Sequence, residues 1–302
     1  MRLLTRSDFD GICCAVLLKD LGLMEEMVYA HPKDLQDGKV PVGPNDILAN
    51  VPYVSGCGLW FDHHSSEHER LELEGKYEGS SKAAPSAARV ICDYYGTDKF
   101  LQFKEMLEYV DRVDSGQVTE AEILDPQGWI LLGFICDPRT GLGYHKGYRI
   151  SNLAYMNELV DHIRTKTIDE ILSLPDTQER IERYKANDQM AREYLGQHSC
   201  VDGPVLITDA RGSAEIPPSN RFLVYSLYPD TNISIRMIDG RGKEFVAISV
   251  GYSILNRTAT VDVGSLMLKY GGGGHKKVGT CQVPYDQADS VLQSLIEACK
   301  AK

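Results

Sequence analysis

The chain has 302 residues and a formal net charge of -11 at pH 7, with 43% hydrophobic and 25% charged residues. This length allows two domains of ordinary size, and the composition is that of an ordinary soluble globular protein. The acidity argues against a broad nucleic-acid-binding surface while leaving room for a local basic pocket that holds a phosphate, and no run approaches the roughly 18 apolar residues that span a membrane.

The N-terminal apolar run MRLLT ends at polar residues and is followed by Gly11 and ICCAVLLKDLGL. This reads as strand, turn and helix, the opening of an α/β unit. The run after Gly11 is short and follows two aspartates, so no secretory leader is read, and a cytoplasmic location is expected. MVYAHP, NDILANV and GLWFDHH are three further strand candidates, each ending in a polar cluster. Ligands of open α/β sheets bind at the carboxyl ends of the strands. Asp8, Asp10, Asn50, Asp62, His63 and His64 are therefore expected along one rim.

PSAARVICDYYG reads as a helix with Pro85 at its start and Gly96 at its stop. KFLQFKEMLEYVDRVDSG is amphipathic and stops at Gly116. A long helix is expected from about Ile150 to Leu174, with Leu153, Met156, Val160 and Ile163 on its apolar face and Pro175 as its breaker. The charged segment DTQERIERYKANDQMAREYL reads as a connecting helix. Beyond about Ser199 the texture changes. VLITDA, RFLVYSL, NISIRMI and EFVAISVGY are strand candidates, VDVGSLMLKYG a helix, TCQVP a strand and QADSVLQSLIEAC a final helix. The expected fold is α/β: a mainly parallel sheet flanked by helices over 1–175, a connecting helix over 176–199, and a smaller α/β domain with a mixed sheet over 200–302.

The eight cysteines include no Cys-x-x-Cys pair, which disfavours both a zinc site and a disulfide framework. Cys13 and Cys14 lie in the apolar run of the first helix and read as core residues. Ser213 stands in a Gly/Pro/Ser loop with no base arranged near it in sequence.

Four stretches carry chemistry. In TRSDFDG, Asp8 and Asp10 stand two residues apart where a strand becomes a helix, so both can face one hard divalent ion. The same residues serve an Asx turn and helix cap equally well. Arg6, two residues before Asp8, would repel a cation. Asp62-His63-His64 offers a carboxylate and imidazoles, which shifts preference toward Mn²⁺ or Zn²⁺ and can donate to a phosphate. Asp111 and Asp114 in VDRVDSG put negative charge at a helix C-terminus, where the macrodipole disfavours it. Gly271–Gly274 followed by His275, Lys276 and Lys277 reads as an anion-holding nest of backbone N–H groups.

In order and spacing, SDFDG, FDHH, VDRVDSG and GGGGHKKVGTC together resemble the DHH phosphoesterase family with its DHH-associated C-terminal domain, in the exopolyphosphatase-like branch. The resemblance covers nearly the whole chain. It implies hydrolysis of a phosphoester or phosphoanhydride with Mn²⁺ or Mg²⁺, one or two ions, in a cleft between domains. By this resemblance Asp8 ligates a first metal and Asp10, His63 and Asp111 a second, with Asp62 beside them and Asp114 the alternative to Asp111. His64 faces the substrate phosphate. Gly272, Gly273, Gly274, His275 and Arg236 hold the distal end of the substrate. The implied substrate is small: polyphosphate, a nucleoside bisphosphate or a short oligonucleotide. No membrane partner is expected, and a homodimer is left open.

Two positions depart from the family pattern. Arg6 stands where a histidine ligand is common, and Asn50 stands where an aspartate bridges both metals. Asp46 is close by but begins its strand, on the wrong rim. Arginine cannot ligate a cation, and asparagine bridges two ions poorly. The expectation is that Arg6 pairs with Asp8, partly replaces the first metal and presents positive charge to a phosphate. The alternative is a non-catalytic nucleotide- or polyphosphate-binding protein with a degraded metal site.

Overall fold

The apolar runs of the N-terminal half form a sheet of five parallel strands in a computed structural model that describes residues 1–64 and 77–300. They are β1 (Arg2–Thr5), β2 (Glu26–Tyr29), β3 (Asp46–Ala49), β4 (Leu59–Asp62) and β5 (Gly79–Ser81). The order across the sheet is β2-β1-β3-β4-β5. The chain leaves β1 toward β2 on one side and returns to β3 on the other, so a topological switch point lies between β1 and β3. β3 and β4 are buried almost throughout, as expected of parallel strands covered on both faces. The helix Phe9–Asp20 lies against the sheet, with ten consecutive residues from Phe9 to Leu18 buried, including Cys13 and Cys14. Its approach to β1 is close. A Cβ on Gly11 would fall 2.1 Å from the Arg6 carbonyl oxygen and 2.8 Å from Thr5 Oγ1.

The helix Ala87–Tyr95 ends at Gly96, as its sequence indicates, but Ser86 rather than Pro85 caps its start, accepting from Arg89 N. The amphipathic segment after it is a 3-10 turn, Thr97–Phe103, running into the helix Lys104–Asp114. The long helix expected over 150–174 is two helices, Asn152–Thr165 and Ile168–Ser173. Thr167 and Glu170 form a reciprocal capping box that starts the second. The second ends at Ser173, just before Pro175, as expected of a breaker. Pro175 itself opens the helix Pro175–Ala186, where the missing N–H costs nothing. The helix Gly128–Cys136 has no amphipathic period because its residues Trp129 through Cys136 are all buried.

The chain divides into two units. Among the described residues the first comprises 1–64, 77–118 and 125–186, and the second 119–124 and 187–300. The division falls inside the segment read as a connecting helix, which breaks at Asn187 and continues as Asp188–His198.

The second unit holds a six-stranded mixed sheet of β6 (Ser199–Asp202), β7 (Val205–Asp209), β8 (Ile233–Asp239), β9 (Val246–Tyr252), β10 (Gly273–His275) and β11 (Val278–Val283), in the order β10-β11-β9-β8-β7-β6. Only β7 and β8 pair in parallel. Ile233, Ile235 and Met237 of β8 and Val246, Ile248 and Val250 of β9 are fully buried at alternate positions. With the helix Ala288–Lys300 and part of Val263–Leu268 they form the core. RFLVYSL, expected as a strand, is the helix Leu223–Leu227. Asn220 Oδ1 accepts from Phe222 N to start the turn, and Leu223 packs on Ala191 and Leu195. Short apolar runs do not distinguish strand from helix by themselves.

Candidate active site

The rim at the carboxyl ends of β1, β3 and β4 carries the residues expected there. Asp8 caps the helix Phe9–Asp20, and its Oδ1 accepts from Gly11 N at 2.9 Å. Asn50 follows β3 with φ of 57°, a left-handed conformation that asparagine tolerates better than most side chains. Its Nδ2 donates to the same Asp8 oxygen at 3.0 Å, across the switch point. Arg6 Nε lies 3.2 Å from Asp8 Oδ2. Asp46, at the opposite end of β3, is held by Arg2, 2.7 Å from Nε and 2.9 Å from the terminal nitrogen.

Asp10 is buried and serves a second helix. Its Oδ2 accepts from Ala87 N at 2.8 Å and its Oδ1 from Ala88 N at 2.9 Å. The N-terminus of Ala87–Tyr95 thereby fixes this carboxylate. His63 is equally constrained: its Nδ1 lies 3.2 Å from the Ala84 carbonyl oxygen, which can only accept, so Nδ1 carries the proton. In the neutral ring the lone pair is then on Nε2. That atom stands 3.7 Å from Asp10 Oδ2 and 3.4 Å from Asp114 Oδ2. A lone pair facing two carboxylate oxygens is repulsive unless a proton or a metal ion lies among them.

Asp10, His63 and Asp114 each present one atom within 4.8 Å of the others, a spacing that fits a metal ion. Two carboxylates and an imidazole make a donor set that could hold a divalent ion. The hydrogen bond behind His63 orients the ring as it does in known metal sites. Asp111, the ligand implied by resemblance, is turned elsewhere. It lies 2.7 Å from a terminal nitrogen of Arg89, and its Oδ1 accepts from Ser86 Oγ at 2.6 Å. Asp114, one turn further along the same helix, takes the place beside His63.

Asp62 does not join the three. His64 Nδ1 lies 2.8 Å from its Oδ1, and its Oδ2 is buried with no hydrogen-bond partner among the described residues. Burial pushes the Asp62 carboxyl up to about 7, against the pull of His63, the backbone N–H groups of both histidines and Arg6. Burial also raises Asp8, opposed by Arg6, while Asp114 adds to the rise and the Gly11 N–H and Arg139 oppose it. Asp10 is raised well above the ordinary carboxylate range by burial, with the charges of Asp114 and Asp8 adding to it. Burial thus makes each of these acids costly to ionise unless positive charge lies close by.

Arg139 is a residue that the motif reading missed. Its Nε donates to Asp137 Oδ1 at 2.7 Å in the 3-10 turn after Gly128–Cys136, and its charge reaches both Asp8 and Asp114. The signal was local: Asp137-Pro138 after an apolar run announces a turn start, but not where the next side chain points. In the second unit, Arg236 sits in β8 between Thr208 of β7 and Ser249 of β9. The glycine run is not an open nest. Gly273–His275 is β10, paired antiparallel with β11. A Cβ on Gly272 would lie 2.0 Å from the Thr280 carbonyl oxygen and one on Gly274 2.2 Å from that of Val278, so a tight hairpin accounts for these two glycines.

No protein-family model matches the chain, and no curated protein does. Among solved structures, the chain is 44% identical to a pGpG-specific phosphodiesterase, PggH, from Vibrio cholerae, over 98% of this chain and 97% of that one, with a TM-score of 0.75. This chain belongs to the DHH phosphoesterase family. Asp62, His63 and His64 are its Asp-His-His run. The DHH domain of a member of the s1p family of ribosomal proteins is 12% identical, with a TM-score of 0.61 over 100% of this chain and 87% of that one. An exopolyphosphatase-related protein from Bacteroides fragilis is also 12% identical, with a TM-score of 0.50 over 99% and 91%. These two share the DHH fold.

Proposed function

We propose that this DHH protein is a metal-dependent phosphodiesterase that hydrolyses the linear dinucleotide pGpG to two molecules of GMP. The observation that carries the reading is the 44% identity to a pGpG-specific phosphodiesterase across essentially the whole chain. The cluster of Asp10, His63 and Asp114 supports it, because those residues supply the donor set such chemistry needs. The same cluster disfavours a binding protein with a degraded metal site.

Asp10, His63 and Asp114 would hold one divalent ion. When bound, such an ion neutralises charge on the phosphoryl oxygens and makes a water acidic enough to attack phosphorus at neutral pH. The rest falls to the chain. Ala87 N and Ala88 N keep Asp10 from rotating, and the Ala84 carbonyl keeps the proton of His63 on Nδ1. His64, held by Asp62, stands just past the end of β4, where it would meet the substrate phosphate. Arg6 and Arg139 supply positive charge for a substrate that arrives as an anion.

The test is direct. The purified chain with Mn²⁺ or Mg²⁺ is expected to convert pGpG to GMP and to lose that activity with a chelator. Linear pApA, polyphosphate and nucleoside bisphosphates are the comparison panel. Absence of turnover on pGpG with either ion, or faster turnover of polyphosphate, overturns the proposal.

A further inference from the structure

Of the two carboxylates in TRSDFDG, Asp8 is the one already engaged on both oxygens by donors of the protein itself. Gly11 N and Asn50 Nδ2 share Oδ1, and Arg6 Nε faces Oδ2. Asn50 turns its amide nitrogen, not its oxygen, to this carboxylate, so it also offers no ligand atom there. A guanidinium keeps its proton in proteins and cannot give way to a metal ion. A divalent ion on Asp8 would have to lie beside that fixed charge, an arrangement of two cations on one carboxylate in a buried setting. Arg139 strengthens the exclusion, since its charge also acts on Asp8. Asp10 differs in kind. Its hydrogen bonds come from neutral backbone groups, and its Oδ2 faces an imidazole and, beyond it, Asp114.

We infer that the centre holds a single divalent ion, on Asp10, His63 and Asp114, and that Arg6 supplies the second positive charge by binding a phosphate oxygen of the substrate. The inference rests on the ion site proposed above. Arg6 is suited to the task. Its Nε lies 3.2 Å from Asp8 Oδ2, an ion pair that holds the guanidinium at the rim, while the side chain remains 30% exposed. The remaining N–H groups form a fork that matches two oxygens of a phosphate. Asp8 is then a positioning residue for Arg6 rather than a metal ligand, and Asn50 and Gly11 hold Asp8 in turn.

The experiment uses Mn²⁺ and inorganic phosphate on the chelator-treated full chain, so it does not depend on the identity of the substrate. Calorimetry is expected to give one Mn²⁺ per chain, and electron paramagnetic resonance the six-line signal of an isolated ion. Arg6→Gln is expected to keep one ion with its Mn²⁺ affinity within about threefold, and to bind phosphate about tenfold more weakly, the loss of one charge-assisted contact. Asp8→Asn is expected to keep one ion as well. Two ions per chain, or a spin-coupled pair, overturns this inference and leaves the Asp10 site standing. No bound Mn²⁺ in the unaltered chain overturns the ion site itself. Phosphate affinity unchanged in Arg6→Gln overturns the role of Arg6.

Discussion

At the scale of single residues, the site is decided by which face of a helix an aspartate occupies. Asp111 and Asp114 are three residues apart near the end of Lys104–Asp114, so both are near neighbours on one side of the helix. Their spacing gives no preference. The partners decide: Arg89 and Ser86 claim Asp111, and His63 faces Asp114. Asp114→Ala is therefore expected to weaken Mn²⁺ binding by more than the roughly 10–100-fold that loss of a partner behind a ligand costs, and to lower pGpG turnover at least as much. Asp111→Ala is expected to leave Mn²⁺ affinity nearly unchanged. Its cost falls on stability, about 1–2 kcal/mol, because Arg89 loses its ion pair in a partly exposed setting and Ser86 loses an acceptor. Metal titration and denaturant unfolding of the two variants check this, and equal loss of Mn²⁺ affinity in both would contradict the assignment. The rim positions of Asp10 and His63 were readable because strand ends fix them, and the Arg6–Asp8 pair because an arginine cannot ligate a cation. The i, i+2 spacing that set Asp8 and Asp10 toward one ion did not hold, since Asp8 caps its helix beside Arg6 while Asp10 turns to Ala87, Ala88 and His63. Asp114 and Arg139 were not readable, since their directions depend on tertiary contacts.

At the scale of elements, the switch point between β1 and β3 depends on how tightly the helix Phe9–Asp20 meets its strand. Gly11 lies where a side chain would strike the Arg6 backbone. Gly11→Ala must displace either the helix start or the carbonyl of Arg6, and with it Asp8. It is expected to cost about 3 kcal/mol by overpacking and to reduce activity even where the protein remains folded. Thermal unfolding and Mn²⁺ titration of the variant measure both effects, and a shift of less than about 0.5 kcal/mol would show that the approach is looser than it looks. The elements themselves were legible where period and caps agree. Four of the five strands of the first sheet ended in visible polar clusters, and Ala87–Tyr95 and Ala288–Lys300 carried clear patterns. β5 was missed because GSS has no apolar signature, and Gly128–Cys136 because burial on every side erases the helical period. The capping box at Thr167–Glu170 is written in the sequence as T-x-x-E, and it divides the continuous apolar stripe into two helices. RFLVYSL has strand composition and a helical environment, and tertiary packing on Ala191 and Leu195 decided it.

At the scale of the whole molecule, the site burdens the metal-free fold. Asp62 is held up to about 7 by burial, and Asp8 and Asp10 are raised in the same direction. In an unfolded chain these acids titrate at roughly 3.9. A carboxyl whose folded value is raised adds full stability below its unfolded value and loses it as pH climbs through the folded value. Stability of the metal-free protein is therefore expected to fall from about pH 6 through pH 8. Acids lowered by partners, such as Asp176 beside Arg149 and Asp46 beside Arg2, are ionised throughout that window and add no slope there. His31 is lowered by burial and the charge of Arg6, so it opposes the trend, but mainly below its ordinary value. Mn²⁺ requires the ionised carboxylates and stabilises the fold by mass action, about 2.7 kcal/mol at 100 times its dissociation constant. The expected outcome is a Tm for the chelator-treated protein several degrees lower at pH 8 than at pH 6, with Mn²⁺ raising Tm more at pH 8 than at pH 6. Scanning calorimetry at fixed ionic strength checks both signs. A metal-free Tm that climbs over this range, or an ion effect larger at pH 6, would mean that the buried acids are neutralised by protein cations alone. The pH dependence thus measures how much of the site's charge the chain balances through Arg6 and Arg139 and how much it leaves to the ion.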